Sequence, residues 1–289
     1  MKLGIDMGGM SIKMGLVNEE NKIIGRITIP TDLTVPYQTL VERMADAVRQ
    51  MLENAGMTLE QCGGIGIGSP GTIDAKQGVI LYSNNFGWEN VPIVEELKKH
   101  LDTRIEIAND ADAAALGEVC AGAAEGAENA VLLTLGTGVG SGVILDKKIF
   151  RGAMPGGCEL GHLSIRYDGI RCTCGRKGCL EAYASASALL RIAREKAAEH
   201  PESIMNEMCG NDLEQMNGKI PFHAAKAGDE AGMETVKEYE GYLACGIANV
   251  INTFRPEKVI LGGGVAAQKD NLTAPLKDLV KDMCFGGSH

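Results

Sequence analysis

The amino-acid sequence predicts an α/β fold made of two related domains. Strand-like apolar segments alternate with segments of helical periodicity through residues 3–108, a pattern typical of a sheet covered by helices. A second observation is that the order strand, glycine-rich turn, strand occurs at the N-terminus and again after residue 130. The repeat favours two related domains, predicted at 1–117 and 118–289, that face one cleft as in the actin-like, ribonuclease H-like ATPases. The alternative is two unrelated hairpins in one α/β protein.

The first domain is predicted to begin with three strands within residues 3–29, separated by a glycine-rich turn and a polar turn. Apolar residues at helical spacing follow over 37–56, and Gly56 gives a stop signal. The apolar run at 63–68, a Pro-Gly turn and residues 79–81 predict a strand followed by a hairpin.

A helix over 91–101 and a strand over 104–108 complete this domain in the prediction. In the second domain, residues 130–152 repeat the strand, turn, strand order of the N-terminus. Helical patterns follow over 184–199 and 222–253, and a short strand at 258–261 leads into a third glycine turn.

Composition limits the functions that this chain can have. Hydrophobic residues make up 45% and charged residues 23% of 289 residues, as in ordinary globular proteins. The net charge of -10 argues against duplex nucleic acid as a partner, since phosphate binding needs clustered Lys and Arg. A nucleotide stays possible, because Mg²⁺ and backbone N–H groups can hold phosphates locally.

No run approaches the roughly 18 apolar residues of a membrane helix, and the N-terminus lacks a signal peptide. We therefore expect a cytoplasmic protein.

Three glycine turns, each after an apolar strand, predict a nucleotide site. Glycine at a strand end lets a phosphate approach the backbone, and a neighbouring carboxylate can hold Mg²⁺. The turns differ from the Walker P-loop and from the dinucleotide fingerprint. Taken singly, each could equally be a plain hairpin. The candidate nucleotide-binding residues are Asp6, Gly8, Gly9, Ser11, Lys13, Gly136, Thr137, Gly138, Gly263 and Gly264.

Three of the nine cysteines form a tight cluster with a histidine. Cys172, Cys174 and Cys179 follow His162 in the segment HLSIRYDGIRCTCGRKGC. One imidazole and three thiolates complete the tetrahedral set that structural zinc prefers, and the spacing differs from the C-x-x-C redox pattern. The scattered cysteines are expected to be core residues.

Asn109 and Asp110 stand where a strand gives way to a helix. Ligands of open α/β sheets bind at the carboxyl ends of strands, and a carboxylate there can accept the proton of an attacking hydroxyl. Asn and Asp are equally favoured as helix N-caps, and position alone does not separate the two interpretations. Asp112, in the first helical turn, is expected to interact with the helix dipole.

Glu159 and Glu181 flank the cysteine cluster. Carboxylates beside a rigid loop suit hydrogen bonding to neighbouring sugar hydroxyls. On the residues alone, the interpretation of both as ordinary surface charges is favoured.

Taken together, these segments closely resemble the ROK family, which comprises repressors, open reading frames and kinases. The matching segments span nearly the whole chain in family order: DMGGMSIKMGLV, GIGSPGTID, NNFGWENVPI, NDADAAALGE, LTLGTGVGSGVI, CELGHLSI, CTCGRKGCLEAYASASAL and LGGGVA. The cysteine signature with its preceding ExGH is the most specific of them.

The resemblance implies an actin-like fold that closes over a sugar and ATP with Mg²⁺, and one structural zinc ion. It implies Asp110 as the base that takes the proton from the sugar 6-hydroxyl. By the same resemblance, one ring nitrogen of His162 binds zinc and the other faces the sugar. The implied sugar-binding residues are Gly71, Asn85, Asn109, Asp110, Glu159, His162 and Glu181.

Within the family, CGRKGCLE and NNFGW look most like the glucokinases, so glucose is the expected substrate. A kinase for N-acetylmannosamine or N-acetylglucosamine is the alternative, because the sugar-binding motifs are largely shared. A sugar-responsive repressor is expected less, since such proteins carry a helix-turn-helix domain ahead of the first strand. A catalytically impaired sugar sensor is the third possibility. It is motivated by Met10, where most members have Thr, and by the end of the chain at His289, before the family's last strand and helix. The resemblance also implies a homodimer or homotetramer.

Overall fold

The chain divides into two compact units in a computed structural model, which describes residues 1–286. The first unit comprises residues 1–128 and 142–158, and the second comprises 129–141 and the residues from 159 onward. The helix α3 (Asp110–Ala121) crosses residue 117 without a break. The domains expected at 1–117 and 118–289 stay a prediction. Residues 287–289, which include the predicted early end of the chain, lie outside the described part.

The first unit is built on a five-stranded mixed sheet with the order β3-β2-β1-β4-β8. Its central strand β1 runs antiparallel to β2 and parallel to β4, which in turn runs parallel to β8. The strands are β1 (Lys2–Met7), β2 (Ser11–Val17), β3 (Ile23–Pro30), β4 (Ile65–Ser69) and β8 (Ile105–Asn109). The carboxyl ends of β1, β4 and β8 therefore share one edge, where ligands of parallel sheets bind.

A smaller antiparallel sheet and two further helices complete most of the first unit. The strand β6 lies between β5 and β7. These elements are β5 (Thr72–Asp74), β6 (Val79–Ser83), β7 (Trp88–Val91), α1 (Tyr37–Asn54) and α2 (Ile93–Lys98). The helix predicted over 91–101 is shorter than expected, because residue 91 belongs to β7 and α2 covers only Ile93–Lys98.

The core of the first unit follows from two periodicities. Alternate residues of β1 and β2 are buried, as period-2 strands require. The helix α1 buries one apolar stripe, which includes Leu40, Met44 and Val48. Burying such side chains stabilises the fold by about 1.5–3 kcal/mol each relative to exposure, so this core fixes the sheet edge that carries the candidate site.

The second unit joins a parallel strand pair to a helical layer. The strand β9 (Ala130–Leu135) pairs with β12 (Lys258–Gly262), and β10 (Val139–Leu145) begins in this unit and ends in the first, where it pairs with β11 (Lys148–Ile149). The long helix α8 contacts α4, α5, α7 and α9. The helices are α4 (Glu181–Ala184), α5 (Ala186–Glu199), α6 (Ile204–Met208), α7 (Ile220–Lys226), α8 (Glu230–Phe254) and α9 (Asp270–Met283).

The predicted strands and glycine turns are confirmed in both units. The predicted helix at 222–253 is wrong as one element, because Gly228 adopts a left-handed φ of 84° and separates α7 from α8. Among residues 1–286, no helix combines the length and apolar character needed to cross a membrane.

Candidate functional site

The turn between β1 and β2 carries the first group of candidate phosphate contacts. It is closed by a hydrogen bond from the Gly8 N–H to the Ser11 carbonyl at 3.0 Å, and Thr31 Oγ1 donates to the Gly8 carbonyl at 2.6 Å. Asp6 and Lys13 are directly opposed across the two strands, and Lys13 Nζ lies 3.9 Å from Asp6 Oδ2. Both side chains are exposed, so a carboxylate and a cation are available beside the turn.

Asn85 lies against this turn from the neighbouring small sheet. A Cβ atom added at Gly9 would stand 4.0 Å from Asn85 Nδ2. Met10, where the family resemblance led us to expect a hydroxyl, is 90% exposed. Ser11 opens β2 directly after it.

Asn109 at the end of β8 is the N-cap of α3. Its Oδ1 accepts hydrogen bonds from the N–H groups of Ala111 at 2.9 Å and Asp112 at 3.4 Å. Its Nδ2 donates to the Gly71 carbonyl at 3.2 Å. Gly71 has a φ of 113°, and a Cβ there would overlap the Tyr82 carbonyl, so only glycine fits. The capping interpretation is therefore confirmed for Asn109.

Asp110 is the first residue of α3 and its carboxylate reaches solvent. Partial desolvation by surrounding protein raises its pKa, and the nearby negative charge of Asp6 raises it further. A hydrogen bond from the Ala111 N–H, 2.9 Å from Asp110 Oδ1, acts in the opposite direction. A raised pKa makes this carboxylate a better proton acceptor than a fully hydrated aspartate.

The second glycine turn, at residues 136–138, links β9 to β10. The Gly136 N–H donates to the Gly138 carbonyl at 3.0 Å. The start of α5 holds the turn from outside, because the Ala186 N–H donates to the Gly136 carbonyl at 2.8 Å and Ser187 Oγ donates to the Thr137 carbonyl at 2.9 Å. The turn therefore has a fixed shape.

The third glycine turn lies beside the second. Gly262 at the end of β12 pairs with Thr134 of β9, and Gly263 packs against the backbone of Leu135. Gly264 follows and opens a short 3₁₀ helix. The two predicted turns of the second unit therefore meet at one edge of its strand pair.

The cysteine cluster has the geometry of a tetrahedral metal site. One ligand atom each from His162, Cys172, Cys174 and Cys179 lies within 4.8 Å of all the others. Cys172 Sγ is 3.7 Å from His162 Nδ1, and Cys174 Sγ is 3.6 Å from Cys179 Sγ. A zinc tetrahedron with Zn–S bonds of about 2.3 Å has edges of about 3.7 Å, so the four residues fit zinc.

The loop that holds these ligands turns as predicted, since Gly175 and Gly178 both have positive φ. Burial raises the pKa of Cys172 and raises that of Cys179 to about 12, whereas a backbone hydrogen bond from Arg176 lowers the pKa of Cys174. A metal must therefore displace thiol protons when it binds, and its affinity must rise with pH.

The segment that carries Glu159 and His162 rests on β10. The Leu160 N–H donates to Ser141 Oγ at 2.9 Å, and Gly161 packs against the Val139 carbonyl. A short 3₁₀ turn, Leu160–His162, then directs the imidazole into the cysteine cluster.

Glu181 at the start of α4 is not an ordinary surface charge. Its Oε2 accepts from the Val139 N–H at 3.1 Å, and its Oε1 accepts from Thr173 Oγ1 at 3.0 Å. Cys172 Sγ lies 3.4 Å from the same Oε1. The favoured interpretation from sequence is therefore wrong for Glu181, because this carboxylate joins the cysteine loop to the second glycine turn.

Sequence reasoning missed two hydroxyl residues that support the site. Thr31, which directly follows β3, binds the first glycine turn, and no sequence pattern indicated it. Thr173 stands between two of the predicted metal ligands, so its position at the site could have been inferred from the C-x-C spacing.

Comparison with known proteins decides the family. The model of the ROK family matches residues 2–288. The chain belongs to the ROK family. The predicted actin-like α/β fold class, which is the fold of this family, is thereby confirmed.

Individual ROK relatives include both enzymes and regulators. A glucokinase of Thermotoga maritima is 36% identical over 281 residues, which cover 97% of this chain and 87% of that protein. The crystal structure of a ROK glucokinase from Streptomyces griseus, in complex with glucose and AMPPNP, matches with a TM-score of 0.79 at 31% identity, over 99% of this chain and 90% of that one. A xylose repressor of Caldicellulosiruptor bescii is 29% identical over 283 residues, which cover 98% of this chain and 70% of the repressor.

Proposed function

We propose that this ROK protein is an ATP-dependent glucokinase that transfers the γ-phosphoryl group of ATP to the 6-hydroxyl of glucose. The observation that carries the proposal is Asp110, a carboxylate with a raised pKa at the carboxyl end of β8 and at the start of α3. The glucokinase relatives, matched over nearly the whole chain, support the same reaction.

In this proposal the first unit supplies the base and part of the sugar contacts. Asp110 accepts the proton of the 6-hydroxyl as that oxygen attacks the γ-phosphorus, so the alkoxide never forms free in solution. Asn109 caps α3, and its remaining Nδ2 hydrogen is available to a sugar hydroxyl. Gly71 and Asn85 are the other proposed sugar contacts of this unit.

The same unit is proposed to hold part of the nucleotide. Gly8, Gly9 and Ser11 would present backbone to the phosphates, and Lys13 would contribute positive charge. Bound Mg²⁺, held by Asp6 directly or through water, would neutralise charge on the transferred phosphoryl group.

The second unit is proposed to supply further sugar contacts through Glu159, His162 and Glu181. A zinc ion held by His162, Cys172, Cys174 and Cys179 would be structural, since four protein ligands leave no open position. It would fix the imidazole, whose second ring nitrogen is then oriented for a sugar hydroxyl. Phosphate and nucleotide contacts are proposed for Gly136, Thr137, Gly138, Gly263 and Gly264.

A sugar panel in an ATP-coupled assay tests the reaction and the substrate. We expect glucose to give the highest kcat/KM, above N-acetylglucosamine and N-acetylmannosamine. A higher kcat/KM for either N-acetylhexosamine would still support a sugar kinase, but it would overturn the assignment of glucose as the substrate. If no hexose is turned over, the enzyme proposal is wrong.

The variant Asp110→Asn tests the base. Loss of general-base catalysis is expected to lower kcat by about 10²–10⁴-fold, because the amide cannot accept the proton. The matched control is Asp102→Asn, which makes the same change at an exposed residue ahead of β8. A turnover of Asp110→Asn within about threefold of wild type would show that another group takes the proton.

The proposal places the protein in the cytoplasm, where ATP and reduced thiols are available, and none of the nine cysteines is in a disulfide bond. A homodimer or homotetramer is proposed from the family resemblance. Sedimentation equilibrium distinguishes these from a monomer of 30.6 kDa.

A further inference from the structure

The carboxylate of Glu181 is held at both oxygens by different parts of the second unit. The Val139 N–H, which opens β10, binds Oε2, and the Thr173 hydroxyl binds Oε1. The two donors are far apart in sequence from each other, and one belongs to the cysteine loop while the other follows the second glycine turn. A carboxylate that accepts a hydrogen bond at each oxygen is held in one orientation instead of several.

The glycine turn is shaped to admit this carboxylate. A Cβ atom added at Gly138 would overlap Glu181 Oε2, so a larger residue would push the carboxylate away from the Val139 N–H. Further along the same chain segment, Ala186 and Ser187 bind the carbonyls of the turn. Both ends of the segment from Glu181 to Ser187 therefore contact the glycine turn.

The third neighbour of Glu181 is a sulfur atom. Cys172 Sγ lies 3.4 Å from Oε1, and a thiol is a weak hydrogen-bond donor. Thr173 Oγ1, at 3.0 Å, is therefore the stronger side-chain donor to this carboxylate oxygen.

We propose that Thr173 is a positioning residue, whose hydroxyl fixes Glu181 for sugar binding together with the Val139 N–H. The inference rests on the proposed function, which assigns Glu181 to the sugar. Each carboxylate oxygen has two acceptor positions, so Glu181 can hold both donors and still accept from a sugar hydroxyl. Without Thr173 the carboxylate is free to rotate, and the sugar loses a prearranged partner.

The variants Thr173→Val and Thr173→Ser separate the hydroxyl from the shape of the side chain. Thr173→Val is expected to raise the KM for glucose about fivefold, because one exposed hydrogen bond to a charged group is lost, with kcat within twofold of wild type. Thr173→Ser keeps the donor and is expected to restore the KM. Zinc content should stay at one per chain in both variants. Thr253→Val, which removes an exposed hydroxyl bonded to the Asn249 carbonyl, is the matched control and should leave the KM unchanged.

The amide proton of Val139 gives a readout that does not depend on turnover. In valine-selective nitrogen-labelled protein, Thr173→Val should move this resonance upfield, since the carboxylate no longer stays on the N–H, and Thr253→Val should not. An unchanged Val139 resonance, an unchanged KM, or a Thr173→Ser variant as impaired as Thr173→Val would each overturn the inference. Loss of zinc in Thr173→Val would also overturn it, because the effect would belong to the metal site. If wild type turns over no hexose, the proposed function fails, and the Val139 resonance alone then decides whether Thr173 holds Glu181.

Discussion

The buried carboxyl group of Glu240 makes the stability of the second unit depend on pH. Glu240 lies in the middle of α8, is 5% exposed, and receives no hydrogen bond at Oε1 from any protein group within residues 1–286. Leu243 and Ala244, one helical turn further on, are buried on the same face. Burial raises the pKa of Glu240 from an ordinary value of 4.5 to about 7.

The size and sign of the effect follow from linkage. The folded state binds the proton of Glu240 more tightly than the unfolded state does. The contribution of Glu240 to stability is therefore most favourable below pH 4.5 and falls as the pH rises towards 7. Each pKa unit corresponds to about 1.4 kcal/mol, so the ionised form costs up to about 3 kcal/mol above pH 7. Glu240→Gln removes the titration, and we expect it to stabilise the protein by about 2–3 kcal/mol more at pH 8 than at pH 5.

Urea unfolding followed by circular dichroism at 222 nm measures this difference, since the second unit is rich in helix. Glu238→Gln, the same change at a less buried position of α8, is the control and should show no such dependence on pH. If the effect of Glu240→Gln differs by less than about 1 kcal/mol between the two pH values, Glu240 is not held in a desolvated state and the reasoning is refuted.

Four further predictions concern the candidate site and its support. Gly138→Ala should raise the KM for glucose in a coupled assay, since the added methyl group displaces the Glu181 carboxylate; an unchanged value would contradict the contact. Zinc affinity, measured by competition with a chelator, should be higher at pH 8 than at pH 6, because thiol protons must leave, and Cys174→Ser should lose the metal. The fall of kcat/KM at acid pH should be governed by an apparent pKa above 3.8, since Asp110 has a raised pKa. Asp110→Asn should abolish this pH dependence. Asp229→Ala should lower the free energy of unfolding by about 1–2 kcal/mol in urea, because Asp229 caps α8 through the Gly232 N–H.

The features predicted correctly from sequence are those with a strong local pattern. Alternating apolar residues defined β1 and β2, and the glycine turns after β1 and β9 were visible in the sequence itself. The convergence of His162 with three cysteines could be predicted because a tetrahedral site needs few residue types, and the cysteines lie within eight positions, from Cys172 to Cys179. The bound metal itself stays a prediction. Family resemblance then supplied roles that no pattern could give.

The features that were missed depend on contacts between distant residues. Glu181 was interpreted as a surface charge because its donor Val139 is 42 positions away, and hydrogen bonds at that separation leave no periodic signal. Gly228 ends a helix through its backbone conformation, while the apolar pattern on both sides of it continues at helical spacing. Tertiary context decided both cases.

The order of Asn109 and Asp110 follows from what an amide and a carboxylate can each do. Asn109 accepts at Oδ1 from the first turn of α3 and donates at Nδ2 to the Gly71 carbonyl. A carboxylate at this position could cap the helix but could not donate, so the link to Gly71 would be lost. An amide at position 110 could not accept a proton from a hydroxyl. Because Asn109 satisfies the end of the helix, Asp110 keeps acceptor capacity at the same strand end for the proton transfer that we propose, and neither residue could replace the other in these two tasks.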